Sequence, residues 1–315
     1  MNITINDIAK ACNLSRATVS RVLRNSEGVS AKTRQHVQAV MDKMGYRPNE
    51  MARNLAQGYT NIVSLIVGNI SSSTQVDLTK AIQKYLYDAG YMTMLFNSDY
   101  STELCDKCLD TVLHNNFAGA FLITTNATVP KMMQMLEHDV PLIMVNRYDL
   151  TVASDAILMD DFKAAYLAVS KLISLGHRKT ILLNVSPDSA VGFNTLRGYQ
   201  DALAAHSLPY DEGSVYTVDI EQYADCIRER HVFNAQRIFE EHPDATGIIC
   251  VANEIAIEFV DQGLTFGKRV PDDYSLIVLE SSAARSYVNI SFTSFGVPQQ
   301  TLGEVAVRQM LASIN

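Results

Sequence analysis

Two arginines five positions apart, Arg16 and Arg21, stand in the segment "NLSRATVSRVLRN", with the small residue Ala17 beside the first. A guanidinium forks onto paired acceptors such as a phosphate or the O6/N7 edge of guanine, and a small neighbour permits close approach to a base or a thymine methyl. The same residues on a protein-docking helix would be solvated surface charges. Other chemistry-bearing groups are less organised. Cys105-Asp-Lys-Cys108 is one CxxC in a helical stretch with no second pair, which reads as incidental thiols rather than a zinc or redox centre. The seven histidines lack HExxH spacing, and the chain has no GxSxG, P-loop or GxGxxG. His177 follows Gly176 and reads as a cap or turn residue, while "KMMQMLEH", residues 131–138, reads as an amphipathic helix face. These patterns describe a binding protein rather than an enzyme, with no metal and no cofactor expected.

Three short helices are needed to present the arginines. Thr4 caps the first, with Asp7 completing a capping pattern, and Ile8, Ala9 and Cys12 share its inner face. Asn13-Leu14 turns the chain. Ser15 caps a second helix running to about Arg24, in which Val19, Val22 and Leu23 point inward while Arg16, Ala17, Ser20 and Arg21 point outward. Ser30 caps a third, with Val37, Val40, Met41 and Met44 inward and Gly45 as its stop. Two helices joined by a tight turn, the second carrying outward arginines, form a helix-turn-helix.

Charge divides along the same boundary. Residues 1–59 hold nine Lys/Arg and four Asp/Glu, a balance of +5; the whole chain is at −8, so the remainder carries −8 − 5 = −13. A basic head on an acidic body suits a protein in which only the head meets phosphates. The 315 residues, 47% hydrophobic and 19% charged, are ordinary for two or three compact units. No apolar run approaches the roughly 18 residues that span a bilayer, and the first residues lack a signal-peptide core, so a cytoplasmic protein with no membrane partner is expected. Five scattered cysteines fit a reducing compartment.

Between head and body, Arg47-Pro48 imposes an extended residue, and Asn49 is placed to cap a short helix, Glu50 to Gln57, stopped by Gly58. Eight residues are too few for a stable isolated helix. Its apolar stripe, Met51, Ala52, Leu55 and Ala56, needs a partner: either the body or a second hinge helix.

From Thr60 onward, apolar runs alternate with helical stretches. "NIVSLIV", "YMTMLF", "AGAFLIT", "PLIMVN", "TILLNV", "TGIICV" and "YSLIVL" read as buried strands; Asp77 to Ala89 and Asp161 to Leu175 read as helices. This is a doubly wound α/β pattern with too many strands for one typical open sheet, which favours two lobes.

The stretch from Thr4 to Ala56 resembles, without gaps, the head and hinge of the LacI/GalR family of transcriptional regulators. Further along, "VPLIMVNR" ending at Arg147, "LISLGHRKTILLNVSP", "LRGYQDAL" and "RVPDDYSLI" resemble that family's periplasmic-binding-protein-like sensor domain. The resemblance implies an all-α helix-turn-helix head (1–46), a hinge (47–59) and a two-lobed α/β body of doubly wound parallel sheets (60–315). Lobe one is expected over about 60–159 and 291–315, and lobe two over about 160–290. It implies a homodimeric repressor on a palindromic operator in double-stranded DNA. Arg16, Ala17 and Arg21 would read bases, and Ser15, Thr18, Ser20, Asn25, Ser30, Thr33 and Arg34 would hold the backbone. Paired hinge helices would enter the minor groove, Leu55 wedging between base steps beside Ala56, with Asn49 and Arg53 on the backbone.

In such bodies a small-molecule effector, a sugar or related metabolite, binds between the lobes at the carboxyl ends of strands. The resemblance places Arg197 there as a fork for ligand hydroxyls, with Arg147, Asp160, Phe193, Asn253 and Glu280 at other cleft positions. Several residues depart from the family. Glu280 stands for the usual Asp, Asn253 for an acid, and Thr74 and Gln75 for an aromatic pair that stacks on a sugar ring. "VLES" replaces a "GFDD"-like segment, "TSFGVP" lacks the usual polar residue before its proline, and the chain ends at Asn315 where relatives add a strand and tail. The eroded stacking position opens an alternative: a body that answers mainly to a protein partner such as a phosphorylated carrier protein. A transport-type solute-binding protein shares the body fold but not the basic head.

Overall fold

The structure is a computed structural model, and it describes residues 3–23, 28–46, 60–149, 151–218, 227–280 and 291–314. Chain contacts divide it into two compact units, residues 1–60 and 61–315.

The first unit is built from α1 (Ile5–Cys12), α2 (Arg16–Leu23) and α3 (Ala31–Met44). Its core is Ile8, Ala9, Cys12, Val19, Val37 and Met41, with Val22, Leu23, Val40 and Met44 packed around it. Asn13 takes the left-handed conformation (φ 53°) that ends α1, and Gly45 does the same (φ 67°) after α3. The capping pattern expected at Thr4 and Asp7 is present: the Asp7 carboxylate accepts from the Thr4 backbone N–H at 2.9 Å and also from its hydroxyl at 2.7 Å.

The second unit holds two five-stranded parallel sheets. One contains β1 (Ile62–Val67), β2 (Met92–Asn97), β3 (Gly119–Ile123), β4 (Leu142–Val145) and β5 (Asp155–Ile157) in the order β2-β1-β3-β4-β5. Its helices are α4 (Ser73–Asp88), α5 (Thr102–His114), α6 (Val129–Glu137) and α11 (Gln299–Ile314). The other contains β6 (Thr180–Val185), β7 (Val215–Val218), β8 (Gly247–Cys250), β9 (Ser275–Val278) and β10 (Thr293–Ser294) in the order β10-β9-β8-β6-β7. Around it lie α7 (Asp161–Ser174), α8 (Ala190–Ala205), α9 (Ile227–Glu241) and α10 (Asn253–Thr265). Each sheet is covered on both faces. In β1, Val63, Leu65 and Val67 join the core under α4 and α11, whereas Ile66 joins the core under α5 and α6. Burial on both faces is why these strands read as continuous apolar runs.

Four expectations need correction. The helix expected from Asp77 begins at Ser73, because its polar first turn hides the apolar period that becomes visible at Leu78. β2 is an edge strand rather than a buried one, and leaves Met92, Met94 and Leu95 exposed. β5 and β10, with three and two residues, are too short to stand out in the pattern, and β7, whose apolar run is broken by Thr217, is not among the expected strands. Finally, β10 pairs with β9, so lobe two extends to 294 and the return to lobe one follows it, later than the expected 291. A helical CxxC is present in α5, but burial pushes the Cys105 thiol up to about 12 and raises Cys108 too, so neither is an activated nucleophile. His177 bonds Thr246 Oγ1 (2.9 Å) and Ser275 Oγ (3.0 Å), joining the chain just before β8 to the start of β9.

Candidate functional sites: a basic head face and an acidic inter-lobe cleft

On the head, α2 is held by its buried side. Val19 has no exposed surface, whereas Arg16, Ala17 and Arg21 are exposed and Thr18 and Ser20 half-buried. The Ser15 hydroxyl accepts from the Thr18 N–H at 3.0 Å and pairs with the Thr18 hydroxyl at 2.8 Å. Ser30 and Thr33 repeat this at the start of α3, at 3.1 and 2.8 Å. The four hydroxyl residues therefore fix where both helices begin, and Arg34 is half-buried one position beyond the second cap. The first turn of α2 contains no acid, so its positive end is not offset by a neighbouring carboxylate. Asn25, Asn49, Arg53, Leu55 and Ala56, and with them the hinge expectation, lie outside the described residues.

The body's polar groups gather at the carboxyl edges of both sheets. After β1, Gly68 permits an approach no side chain would: a Cβ there would lie 2.5 Å from the Tyr100 ring and 2.6 Å from the Thr124 carbonyl. Asp99, Tyr100, Thr124 and Asn146, all just past strand ends, have positive φ between 46° and 58°. Such backbone persists only where surroundings enforce it, and it concentrates at binding sites. Gln75, in the first turn of α4, accepts from the Asn69 N–H at 2.9 Å and donates to the Tyr100 hydroxyl at 3.0 Å. Ser98 and Thr125, both buried, share a hydroxyl contact of 2.7 Å behind it.

Lobe two supplies the acids. Glu280 follows β9 and accepts from both the Asn253 N–H (2.9 Å) and the Asn253 side-chain amide (3.0 Å). The amide at 253 thus supplies a donor where an acid would have added a third carboxylate. Glu254 reaches the other lobe: its Oε1 accepts from the Ser73 N–H at 3.1 Å and from the Ser73 hydroxyl at 3.4 Å. Burial first, and then the neighbouring Glu254 carboxylate, push the Glu280 carboxyl up to about 7, with the Thr74 hydroxyl and Asn253 opposing. Burial lifts the Tyr100 hydroxyl to about 12; Gln75 offsets part of this, Glu254 and Glu280 add to it, and the Arg147 cation lowers it. Charges from both lobes therefore meet around one tyrosine.

The structure brings Thr74, Gln75, Arg147, Asn253 and Glu280 into this group. Asp160, Phe193 and Arg197 lie apart from it: Asp160 at the start of α7, Phe193 in the first turn of α8 and Arg197 one turn further along that helix. The Asp160 carboxylate caps α7 by accepting from the Lys163 N–H at 2.9 Å. The exposed Arg197 guanidinium lies 5.7 Å from the ring centres of both Phe162 and Phe193. Gly198 lets the helices approach, since a Cβ there would lie 2.2 Å from the Phe162 carbonyl. Beside Asp160, burial and the Asp160 charge raise the Asp161 carboxyl to about 7. Sequence reasoning missed Ser73, Tyr100 and Glu254. Tyr100 and Glu254 follow strand ends closely enough to have been found by position, but Ser73 contributes a backbone N–H, which any residue except proline carries.

Comparison with known proteins agrees with this architecture. Residues 4–49 match the model for bacterial regulatory proteins of the lacI family, and residues 60–313 match that for periplasmic binding proteins and the sugar binding domain of the LacI family. Catabolite control protein A of Priestia megaterium is 27% identical over all of this chain and 93% of its own. The NTD biosynthesis operon regulator NtdR of Bacillus subtilis is 27% identical over 99% of this chain and 93% of its own. In fold, the lac repressor dimer bound to operator and the anti-inducer ONPF superposes with a TM-score of 0.83 at 20% identity, covering 100% of this chain and 93% of that one. A CelR–cellobiose complex gives 0.70 at 21%, covering 99% and 93%. With a helix-turn-helix head and a two-lobed sensor fold each matched by its own model, the chain belongs to the LacI family of bacterial transcriptional regulators, and is a regulator rather than an enzyme.

Proposed function

We propose that the protein is a homodimeric repressor that reads a palindromic operator through Arg16, Ala17 and Arg21, and whose affinity is set by a small molecule between the body's lobes. The observation that carries this is the arrangement of α2: Val19 locks the helix to the head, while the two arginines and the alanine between them stay exposed and uncommitted to the caps. Thr18 and Ser20, beside them on α2, with Ser15, Ser30, Thr33 and Arg34 at the helix starts, are placed to hold the DNA backbone. Self-pairing is supported by the exposed apolar group Tyr87, Met92, Met94 and Leu95 along the edge strand and the end of α4, a surface that a second copy would cover. Lac repressor, of the same fold, is a dimer on its operator.

The cleft suits a neutral, hydroxyl-rich ligand such as a sugar. Glu254 and Glu280 accept from hydroxyls, Arg147, Asn253, Thr74 and Gln75 contribute further polar atoms, and Tyr100 provides an aromatic ring where Thr74 and Gln75 do not. Arg197, Phe193 and Asp160 would line the lobe-two side. A relative in fold, CelR, is known in complex with cellobiose.

Selection from a random duplex library with the full-length protein tests the DNA reading: enrichment of an inverted repeat is expected, and no enrichment over the input pool would reject it. Calorimetric titration with neutral sugars separates the effector reading from a body that answers only to a protein partner.

A further inference from the structure

We propose that Glu254 is a positioning residue that latches the two lobes together in the absence of ligand, by supplying from lobe two the N-terminal cap of a helix in lobe one. The proposal goes further into the cleft just described and rests on its being the effector site. Ser72, at the N-cap of α4, makes no side-chain cap bond of its own. The first helical residue, Ser73, instead gives its N–H and its hydroxyl to Glu254 Oε1, a partner 181 positions away in the chain. A carboxylate at a helix N-terminus satisfies an orphan donor and meets the positive end of the macrodipole, and here the two halves of the interaction sit on different lobes. Glu254 is itself held in place, because it belongs to the first turn of α10, whose opening residue Asn253 is bonded twice to Glu280. The bond therefore ties the carboxyl edge of β9 to the carboxyl edge of β1. Opening the cleft leaves the α4 N-terminus without this cap, so the closed arrangement is favoured before any effector arrives, and a ligand acts by strengthening or breaking a contact already made.

Hydrogen exchange of the full-length protein, followed by mass spectrometry over the strand-end segments 96–101 and 251–256, tests the latch without DNA or effector. Glu254→Ala is expected to speed exchange in both segments about tenfold, with Glu254→Gln restoring part of the protection because its amide oxygen still accepts. Ser73→Pro removes the donor while keeping a residue that suits the first helical position, and should match Glu254→Ala with no loss of helix. The double variant Ser73→Pro/Glu254→Ala should exchange no faster than either single variant. Exchange unchanged in both single variants, or effects that multiply in the double variant, would overturn the proposal. Failure of operator binding would leave these readings intact, which separates the latch from the wider assignment.

Discussion

The head and the cleft use polar side chains in opposite ways. In the head, Ser15 with Thr18 and Ser30 with Thr33 satisfy one another and fix two helix starts, and Arg16 and Arg21 stay exposed on a small apolar core. In the cleft, the charges themselves are confined: Glu280 is held by Asn253, Glu254 by Ser73, and their mutual repulsion is built into the resting protein. A surface that meets a polyanion exposes Arg16 and Arg21 on a scaffold of neutral hydroxyl caps. The proposed small-molecule pocket instead holds two carboxylates close together, so that a change in their surroundings shifts the balance between them.

The sharpest way to break the contrast is to unfold one side of it. Val19→Asp places a charge in the centre of the head and should cost at least about 3 kcal/mol, enough to unfold so small a unit. Operator binding should vanish while the body's melting transition stays in place; loss of both transitions would show that head and body are not independent. Next, Arg16→Ala and Arg21→Ala should each weaken operator affinity by about 1–3 kcal/mol, roughly 5- to 150-fold, with relaxed preference at one base position and no change in thermal stability. A drop equal on all sequences would assign that arginine to phosphate instead.

A third comparison follows pH. The Glu280 carboxyl titrates near 7 in the folded protein and in the ordinary range, near 4.5, when unfolded. Between those values the folded state binds the extra proton, so this group's contribution weakens as pH rises from about 4.5 through 7. Glu280→Gln should therefore flatten the fall in body stability between pH 5 and pH 8 and raise the melting temperature at pH 8 by a few degrees, about 1 kcal/mol or more. A variant whose melting temperature tracks the wild type at both pH values would show that Glu280 is not under strain. The smallest effect belongs to the caps: Ser15→Ala or Ser30→Ala should lower head stability by about 1 kcal/mol, read by thermal denaturation, with the body unchanged.

Much of the head was legible before the structure because its signals are local. Ser15, Asn13, Gly45 and the spacing of Val19 each act within a turn of helix, and a four-residue window captures them. The body's long buried strands were legible for the same reason. What escaped was set by neighbours distant in the chain. Ser73 begins a helix whose cap comes from Glu254, so the start at 73 has no nearby marker. β10 exists as a strand only because β9 lies beside it. Tyr100, which in the proposed site would supply the aromatic ring that Thr74 and Gln75 lack, fits only because Gly68 on the neighbouring strand end makes room for its ring. Arg197, a ligand fork by resemblance of its motif, is exposed with its guanidinium 5.7 Å from the ring centres of Phe162 and Phe193, neighbours that the motif alone does not name.

The central claim is that α2 presents Arg16 and Arg21 to base edges. Its most direct test is the affinity of the full-length protein, at one fixed salt concentration, for a selected inverted repeat and for a scrambled duplex of identical composition. The account predicts a preference of at least about 1,000-fold that collapses towards unity in Arg16→Ala/Arg21→Ala. Equal affinity of the wild-type protein for the two duplexes, or a preference that survives the double substitution, would contradict it.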